Sequence, residues 1–280
     1  MTTADLFVAG RTAVITGAAN GIGAAAARYF ARRGLRVCLF DRDAAALQAL
    51  STELGDRAVV VLGDVTSIDD LTRLRDVACA DHADIALVVN NAGIAAGGGP
   101  WDPIEQWRRQ IDTNLLSMVM VQGLFVERLL AQAGRAAVVN LGSKQGITTP
   151  PGNAAYNVAK AGVKVLTEQL AHELRQVAGD RVTAHLLIPG YTWTAMNGAA
   201  GADPATKPAE AWTPDQVIAF FVERFDAGDF YILCPDNAVT TALDHKRIRW
   251  AADDVVLNRP ALSRWHAAWK ERFAAFIADA

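Results

Sequence analysis

From residue 11 to residue 188 the chain repeats one unit, a short apolar run followed by a helical stretch. The apolar runs cover 11–16, 35–40, 58–62, 85–89, 136–141 and 181–188. Helical patterns fill the intervals at 24–33, 43–54, from Ser67 onward, 104–132 and 154–177. A strand that is always followed by a helix can only join its neighbours in parallel, and the crossovers then cover both faces of the sheet. The expected fold class is therefore α/β. With 280 residues, 51% of them hydrophobic, the chain can bury a full core in that form.

The first unit carries the strongest local signal. Ala13-Val14-Ile15 leads into Gly17-Ala18-Ala19-Asn20-Gly21-Ile22-Gly23, and an alanine-rich helix follows. Glycines let a backbone approach a pyrophosphate closely, and a helix N-terminus adds free N–H groups and positive potential. The spacing Gly-x-x-x-Gly-x-Gly departs from the Gly-x-Gly-x-x-Gly of the long dehydrogenases, and a turn shortened for packing is the plain alternative. Asp41 ends the second run, 24 positions after Gly17. An acid there accepts hydrogen bonds from ribose hydroxyls and repels a 2′-phosphate, which favours NAD over NADP. Arg42 beside it can pair with that phosphate instead. The alternatives are a helix cap for Asp41 and a solvated charge for Arg42. Asp64, after the third run, either reaches an adenine edge or begins a turn. Asn90-Asn91-Ala92-Gly93, after the fourth, suits a ligand's close approach and an ordinary turn equally.

The stretch 143–160 gathers groups able to move protons. Ser143 lies just past the fifth run, at the strand end where open α/β sheets place their chemistry. Tyr156 and Lys160 are four apart and share a face if the segment is helical. A lysine cation beside a phenol lowers its pKa and makes it useful as an acid and a base. The alternative is an aromatic packing inward and a lysine reaching solvent. Asn114 stands among Ile111, Leu115, Leu116 and Val119, as a buried structural amide or as the holder of a water.

Other classes are disfavoured. The net charge is −3 without a basic run, so no nucleic acid or anionic membrane is expected as partner. Cys38, Cys79 and Cys234 lack metal spacing, as do His82, His172, His185, His245 and His266, so no metal is expected. The start has no basic-then-apolar leader and no apolar stretch is expected to span a bilayer, which together predict a cytoplasmic location.

Taken together, these motifs resemble the short-chain dehydrogenase/reductase family over about residues 8–195. Gly17, Asn20, Gly21, Ile22 and Gly23 correspond to the pyrophosphate turn, Asp64 and Val65 to the adenine contact, and Asn91, Ala92 and Gly93 to the segment under the cofactor. Asn114, Ser143, Tyr156 and Lys160 match the family's catalytic tetrad in order and spacing. Pro189, Gly190, Thr192 and Thr194 fall in the loop that meets the nicotinamide carboxamide. The resemblance implies a doubly wound Rossmann-type parallel sheet of about seven strands, with helices on both faces, in a single domain spanning 1–280. It implies a hydride transfer between a nicotinamide and an alcohol or ketone. Tyr156 exchanges the proton, Ser143 hydrogen-bonds the same oxygen, Lys160 lowers the Tyr156 pKa and holds the nicotinamide ribose, and Asn114 positions a water. A homodimer or homotetramer is implied as well.

Beyond residue 195 the match weakens. A lid is expected over about 190–212, a helix over 213–226, a last strand over 228–234, and an extended tail over about 236–280. Pro235-Asp236-Asn237 stands where the family commonly has glycines. Trp265, Trp269, Phe273 and Phe276 follow helical spacing in the tail. Ala95, Ser143, Gln145, Thr149, Tyr156, Tyr191, Trp193 and Met196 are the candidate substrate contacts, a set that favours a moderately hydrophobic alcohol or ketone. The leading expectation is an NAD-dependent alcohol dehydrogenase. The competing ones are an NADPH-dependent carbonyl reductase, a non-catalytic dinucleotide sensor, and an epimerase or dehydratase with a tightly held cofactor.

Overall fold

The computed structural model describes residues 1–80, 84–95, 98–197 and 204–278. His82, Gly97 and the middle of the expected lid, 198–203, lie outside the described residues. The first half runs α1 (Thr3–Leu6), β1 (Thr12–Thr16), α2 (Gly21–Arg32), β2 (Arg36–Asp41), α3 (Ala44–Leu54), β3 (Ala58–Leu62), α4 (Ile68–Ala78) and β4 (Ile85–Asn90). It continues with α5 (Ile104–Ile111), a π-helical turn over Asp112–Leu116, α6 (Ser117–Ala131), β5 (Ala136–Leu141), α7 (Gln145–Thr148), α8 (Ala154–Ala178), β6 (Val182–Ile188), α9 (Pro214–Asp226) and β7 (Tyr231–Leu233). The tail holds α10 (Thr241–Val256) and α11 (Lys270–Ala278).

All seven strands pair in parallel, in the order β3-β2-β1-β4-β5-β6-β7. This is the expected Rossmann-type sheet. The order reverses between β1 and β4, so the loops leaving these two strands diverge and open a crevice at their C-terminal ends.

Successive side chains alternate across each strand, and each central strand is buried on both faces. Ala13 and Ile15 of β1 face α2, α3 and α9, whose Ala27, Phe30, Leu47, Leu50, Phe221 and Phe225 form one core layer. Val14 faces the other way, onto α4, α6 and α8 through Leu71, Leu74, Phe125, Leu129 and Leu174. Each such large side chain, fully buried, stabilises the fold by about 1.5–3 kcal/mol. Helix starts follow local chemistry. Asp43 Oδ1 accepts the Ala46 N–H at 3.0 Å, Ser67 Oγ accepts that of Asp70 at 3.3 Å, and Thr213 and Gln216 form a reciprocal capping box ahead of α9.

Several boundaries differ from the sequence expectation. The alanine-rich helix begins at Gly21, so Gly21, Ile22 and Gly23 form its first turn. The last strand shortens to Tyr231–Leu233, because Gly228 (φ +85°) turns the chain before it. The tail aromatics do not share one helical stripe. Trp265 and Trp269 sit in 3₁₀ turns, and only Phe273 and Phe276 belong to α11. Trp269, Phe273 and Phe276 converge in space on Trp250 of α10. Its ring lies 6.2 Å from Trp269, 5.3 Å from Phe273 and 5.2 Å from Phe276, with the Arg259 guanidinium 4.2 Å above it.

The expectation of no membrane-length segment also needs correction. The run Ile104–Ala131, 28 residues including the π turn, is long and apolar enough by length and composition. Its side chains Met118, Val121, Phe125 and Leu129 are buried in the fold, as in a core helix, while Leu116 and Val119 are exposed.

Candidate active site

A cleft of about 700 Å³ opens along the C-terminal ends of β1, β2, β4, β5 and β6. At one end lies the glycine turn. Gly17 holds φ +63°, and a Cβ on it would come within 2.7 Å of Ala92 Cα. Asn91 fastens the turn by donating from Nδ2 to Thr16 O at 3.1 Å and Gly17 O at 2.8 Å. Thr16 Oγ1 in turn accepts the N–H groups of Asn91 and Ala92 at 3.1 and 3.2 Å. Asn20, the N-cap of α2, makes no side-chain cap bond, so among the described residues the first N–H groups of α2 have no capping side chain. That arrangement fits a bound pyrophosphate: a turn opened by Gly17 and Gly21, which carry no Cβ, and closed by a helix N-terminus without a side-chain cap.

Asp41 lines the same end. Its Oδ2 accepts the Ala19 N–H at 3.0 Å, and its Oδ1 accepts those of Arg42 and Asp43 at 2.8 and 3.1 Å. The helix-cap alternative thus belongs to Asp43, and Asp41 instead ties β2 to the glycine turn. Arg42 is exposed, lines the cleft and makes no ion pair among the described residues.

At the other end the strand-end groups converge. The Ser143 hydroxyl, just past β5, and the Tyr156 phenol line the cleft together, and the hydroxyl acts to lower the phenol's pKa. Ser143 Oγ also accepts the Gln145 N–H at 3.1 Å. Lys160 is 4% exposed, and its Nζ donates to Leu141 O at 2.8 Å and lies 5.8 Å from the centre of the Tyr156 ring. Gly146 lets α7 press onto α8, since a Cβ there would lie 2.5 Å from Lys160 O and 2.8 Å from Ala161 N. Behind this, Asn90 Nδ2 donates to Asn140 Oδ1 at 2.8 Å, and Asn140 Nδ2 donates to Thr167 Oγ1 at 2.9 Å. This buried ladder joins β4, β5 and α8.

The electrostatics reverse one expectation. Tyr156 is held above its ordinary value, because burial outweighs the Ser143 hydrogen bond, and Lys160 is not among the causes. Lys160 itself is pushed down to about 8 by burial. Its unfolded value is 10.5, so between about pH 8 and 10.5 the unfolded chain holds the extra proton, and stability contributed at this site rises with pH. Chemical denaturation at stepped pH should show wild type gaining on Lys160→Met across that window. Parallel curves would count against the burial effect.

Asn114 is fully buried in the π turn, where Ile94 N donates to its Oδ1 at 2.9 Å and its Nδ2 donates to Ile94 O at 3.0 Å and Gln110 Oε1 at 2.5 Å. With its amide committed to the protein, the side chain acts as a structural brace for the segment after Gly93.

Of the other expected contacts, Ile22, Ala92, Gly93, Ala95, Gln145, Pro189, Gly190, Tyr191, Thr192, Thr194 and Met196 line the cleft. Gly23, Asp64, Val65, Thr149 and Trp193 do not. Gly23 backs the turn. Asp64 Oδ1 accepts the Thr66 N–H and hydroxyl, both at 2.8 Å, which is the turn-forming alternative. Val65 packs into the core. Thr149 lines a separate cavity beside the tail. The Trp193 N–H pairs with Trp212 O at 2.8 Å, pinning the two ends of the lid segment. Arg109, Lys144, Asn153 and Asn197 line the cleft without having been anticipated. Lys144 carried a signal, being adjacent to Ser143, whereas Arg109 is distant in sequence from every motif.

Comparison with known proteins follows this geometry. The family model of short chain dehydrogenases matches residues 11–205. Among curated relatives, the cis-4-hydroxycyclohexanecarboxylate dehydrogenase of Sinomonas cyclohexanicum is 37% identical over 69% of this chain and 78% of its own length. The 1-deoxy-11-beta-hydroxypentalenate dehydrogenase of Streptomyces exfoliatus is 31% identical over 88% of each chain. Among solved structures, a short chain dehydrogenase/reductase from Burkholderia phymatum in complex with NAD superposes with a TM-score of 0.79. It is 29% identical, and the match covers 90% of this chain and 96% of that one.

Proposed function

The chain belongs to the short-chain dehydrogenase/reductase family, and on that premise we propose that it is an NAD-dependent oxidoreductase interconverting a secondary alcohol and a ketone. The observation that carries this reading is the convergence of Ser143, Tyr156 and the buried Lys160 in the same cleft as the glycine turn and Asp41.

The nicotinamide, when bound, supplies the hydride chemistry. The chain's own residues do the rest. The Gly17–Gly23 turn and the α2 N-terminus hold the pyrophosphate, and Asp41 accepts hydrogen bonds from the adenosine ribose. Tyr156 carries the proton at the substrate oxygen, and Ser143 donates to the same oxygen. Lys160, anchored on Leu141 O, holds its charge beside the phenol. A cation there favours the phenolate whenever the site must form one, which offsets the burial that keeps Tyr156 neutral at rest. Asn114, bonded to both the N–H and the carbonyl of Ile94, holds the segment after Gly93 that borders this proton path.

The named relatives act on hydroxyl-bearing cyclohexanecarboxylate and pentalenate compounds. A hydroxyl on an apolar ring suits the Ile94, Tyr191 and Met196 side of this cleft, and Arg109 gives a ring carboxylate a cation to meet. Leu116, Val119, Val158 and Val165 leave apolar surface exposed on α6, α8 and the π turn, in keeping with a homodimer or homotetramer.

Titration with NADH and NADPH, followed by nicotinamide fluorescence, tests the cofactor. NADH should bind selectively, and Asp41→Ala should cost roughly 10- to 100-fold of that affinity, the range for hydrogen bonds to a charged group. One observation favours the second reading, an NADPH-dependent carbonyl reductase: Arg42 is exposed at the cleft without a carboxylate partner among the described residues. Selective NADPH binding would establish it in place of the first. Binding of neither would leave only the inherited fold.

A further inference from the structure

Lys144 lies between Ser143 and α7 and lines the cleft, yet the alcohol–ketone chemistry gives it no task. Its Nζ sits 3.3 Å from Asp236 Oδ2 and 2.5 Å from Asp244 Oδ2, and both carboxylate side chains are only 6% exposed. Asp236 follows β7. Its Oδ2 also accepts the Tyr191 N–H at 3.2 Å, while its Oδ1 accepts those of Ala238 and Val239 at 3.1 and 2.8 Å. Asp244 lies in the first turn of α10, which Thr240 caps. One ammonium therefore joins the ends of β5, β6 and β7 to the C-terminal tail.

The contact is tight. A Cβ on Gly190 would lie 2.7 Å from Asp236 Oδ2 and 3.0 Å from Lys144 Nζ. The Lys144 backbone is equally constrained. Its carbonyl accepts the N–H groups of Ile147 and Thr148 at 3.1 and 3.0 Å and the Thr148 hydroxyl at 3.2 Å. Ser143 Oγ, one residue back, accepts from Gln145 N, one residue ahead. Any movement of the Lys144 backbone would carry both the Ser143 hydroxyl and α7 with it.

We infer that Lys144 is a positioning residue: clamped between Asp236 and Asp244, it holds the Ser143 hydroxyl and the Gly190–Tyr191 turn in register with Tyr156, and so makes the C-terminal tail a working part of the site. The inference rests on the oxidoreductase reading for its consequence in turnover. Simple attachment of the tail does not call for this arrangement, because largely buried ions are costly to desolvate and apolar packing holds a helix as well. What an ion triad adds is fixed direction and distance, and a displacement near 1 Å at a reacting group costs on the order of 100-fold in rate.

The test compares Lys144→Met with the charge-balanced pair Lys144→Met/Asp244→Asn. Lys144→Met leaves two largely buried carboxylates facing each other and should melt early. The pair removes one carboxylate's charge along with the cation and should melt as wild type does. The pair should still show kcat lowered about 10- to 100-fold, with KM for the alcohol changed less. A spectroscopic readout accompanies the kinetics. Tyrosinate absorbance, taken as the difference between each protein and its Tyr156→Phe counterpart, isolates the Tyr156 titration. Displacing the Ser143 hydroxyl, which acts to lower the phenol's pKa, should raise that pKa in the pair. A pair that recovers wild-type melting, kcat and Tyr156 titration together would make the clamp merely structural and overturn the inference. Should the wild type bind NADH but oxidise no alcohol, the functional reading fails, and the phenol titration still decides the clamp.

Discussion

A Tyr156→Phe protein should bind NADH as the wild type does and turn over an alcohol about 10²- to 10⁴-fold more slowly, the range that a positioned general acid–base contributes. The substitution removes one oxygen and keeps the ring. Tyr156 is half-buried, and its Lys160 neighbour is anchored on Leu141 O rather than on the phenol, so neither packing nor the lysine's position depends on the hydroxyl. The lost atom is the one proposed to meet the substrate oxygen. Steady-state kinetics beside an NADH titration separate the two effects. Retention of more than a tenth of wild-type kcat would remove Tyr156 from the proton path. The upward-held phenol adds a direction to the pH profile. Alcohol oxidation needs the base form, so its rate should climb with pH through the neutral range, and Tyr156→Phe should abolish that climb.

Gly23→Ala should damage both fold and cofactor site. The new Cβ would overlap the Gly17 carbonyl and lie 2.6 Å from Asn91 Nδ2. These neighbours are the backbone of the glycine turn and the side chain that fastens it, so neither can step aside without opening the cradle. Overpacking of this kind costs about 1–3 kcal/mol. For a chain of this size that corresponds to a Tm lower by roughly 2–12 °C. NADH affinity should fall with it, because the turn that must approach the pyrophosphate is the part displaced. A variant with wild-type Tm and wild-type NADH affinity would show that the turn has slack that the geometry denies.

The two predictions draw on features that differ in how plainly the chain announces them. The glycine turn, the strand ends and Ser143, Tyr156 and Lys160 are carried by local pattern: apolar runs, fixed spacings, residues a few positions apart. The parallel sheet followed from the alternation and its count of about seven strands from the resemblance, whereas the strand order is the structure's own. Other features depend on partners far along the chain. Lys144 announces nothing by itself, because Asp236 and Asp244 lie about a hundred residues on and meet it only when β7 and α10 are in place. Arg109 reaches the cleft from α5. The Tyr156 pKa was expected to fall because a lysine stands one turn away, yet spacing cannot say how deeply the phenol is buried, and burial decides its direction. Asp64 shows a residue with a strictly local partner: Thr66, two positions ahead, takes its Oδ1, while no bond to Oδ2 is made among the described residues.

The π turn at Asp112–Leu116 has a consequence for the helix that contains it. One extra residue in a helical turn shifts every later side chain by about 100° around the axis. The 28-residue run from Ile104 to Ala131 is thereby two helices with separate allegiances sharing one rod. α6 answers to the sheet through Val121, Phe125 and Leu129, and its phase is fixed by the core. α5 is free of that phase and turns Arg109 toward the cleft and Gln110 toward Asn114. Substitutions on α5 can therefore change what the cleft meets while the core register of α6 stays as it is. The π turn works as a phase coupling between the part of the rod that holds the protein together and the part that can vary with its substrate.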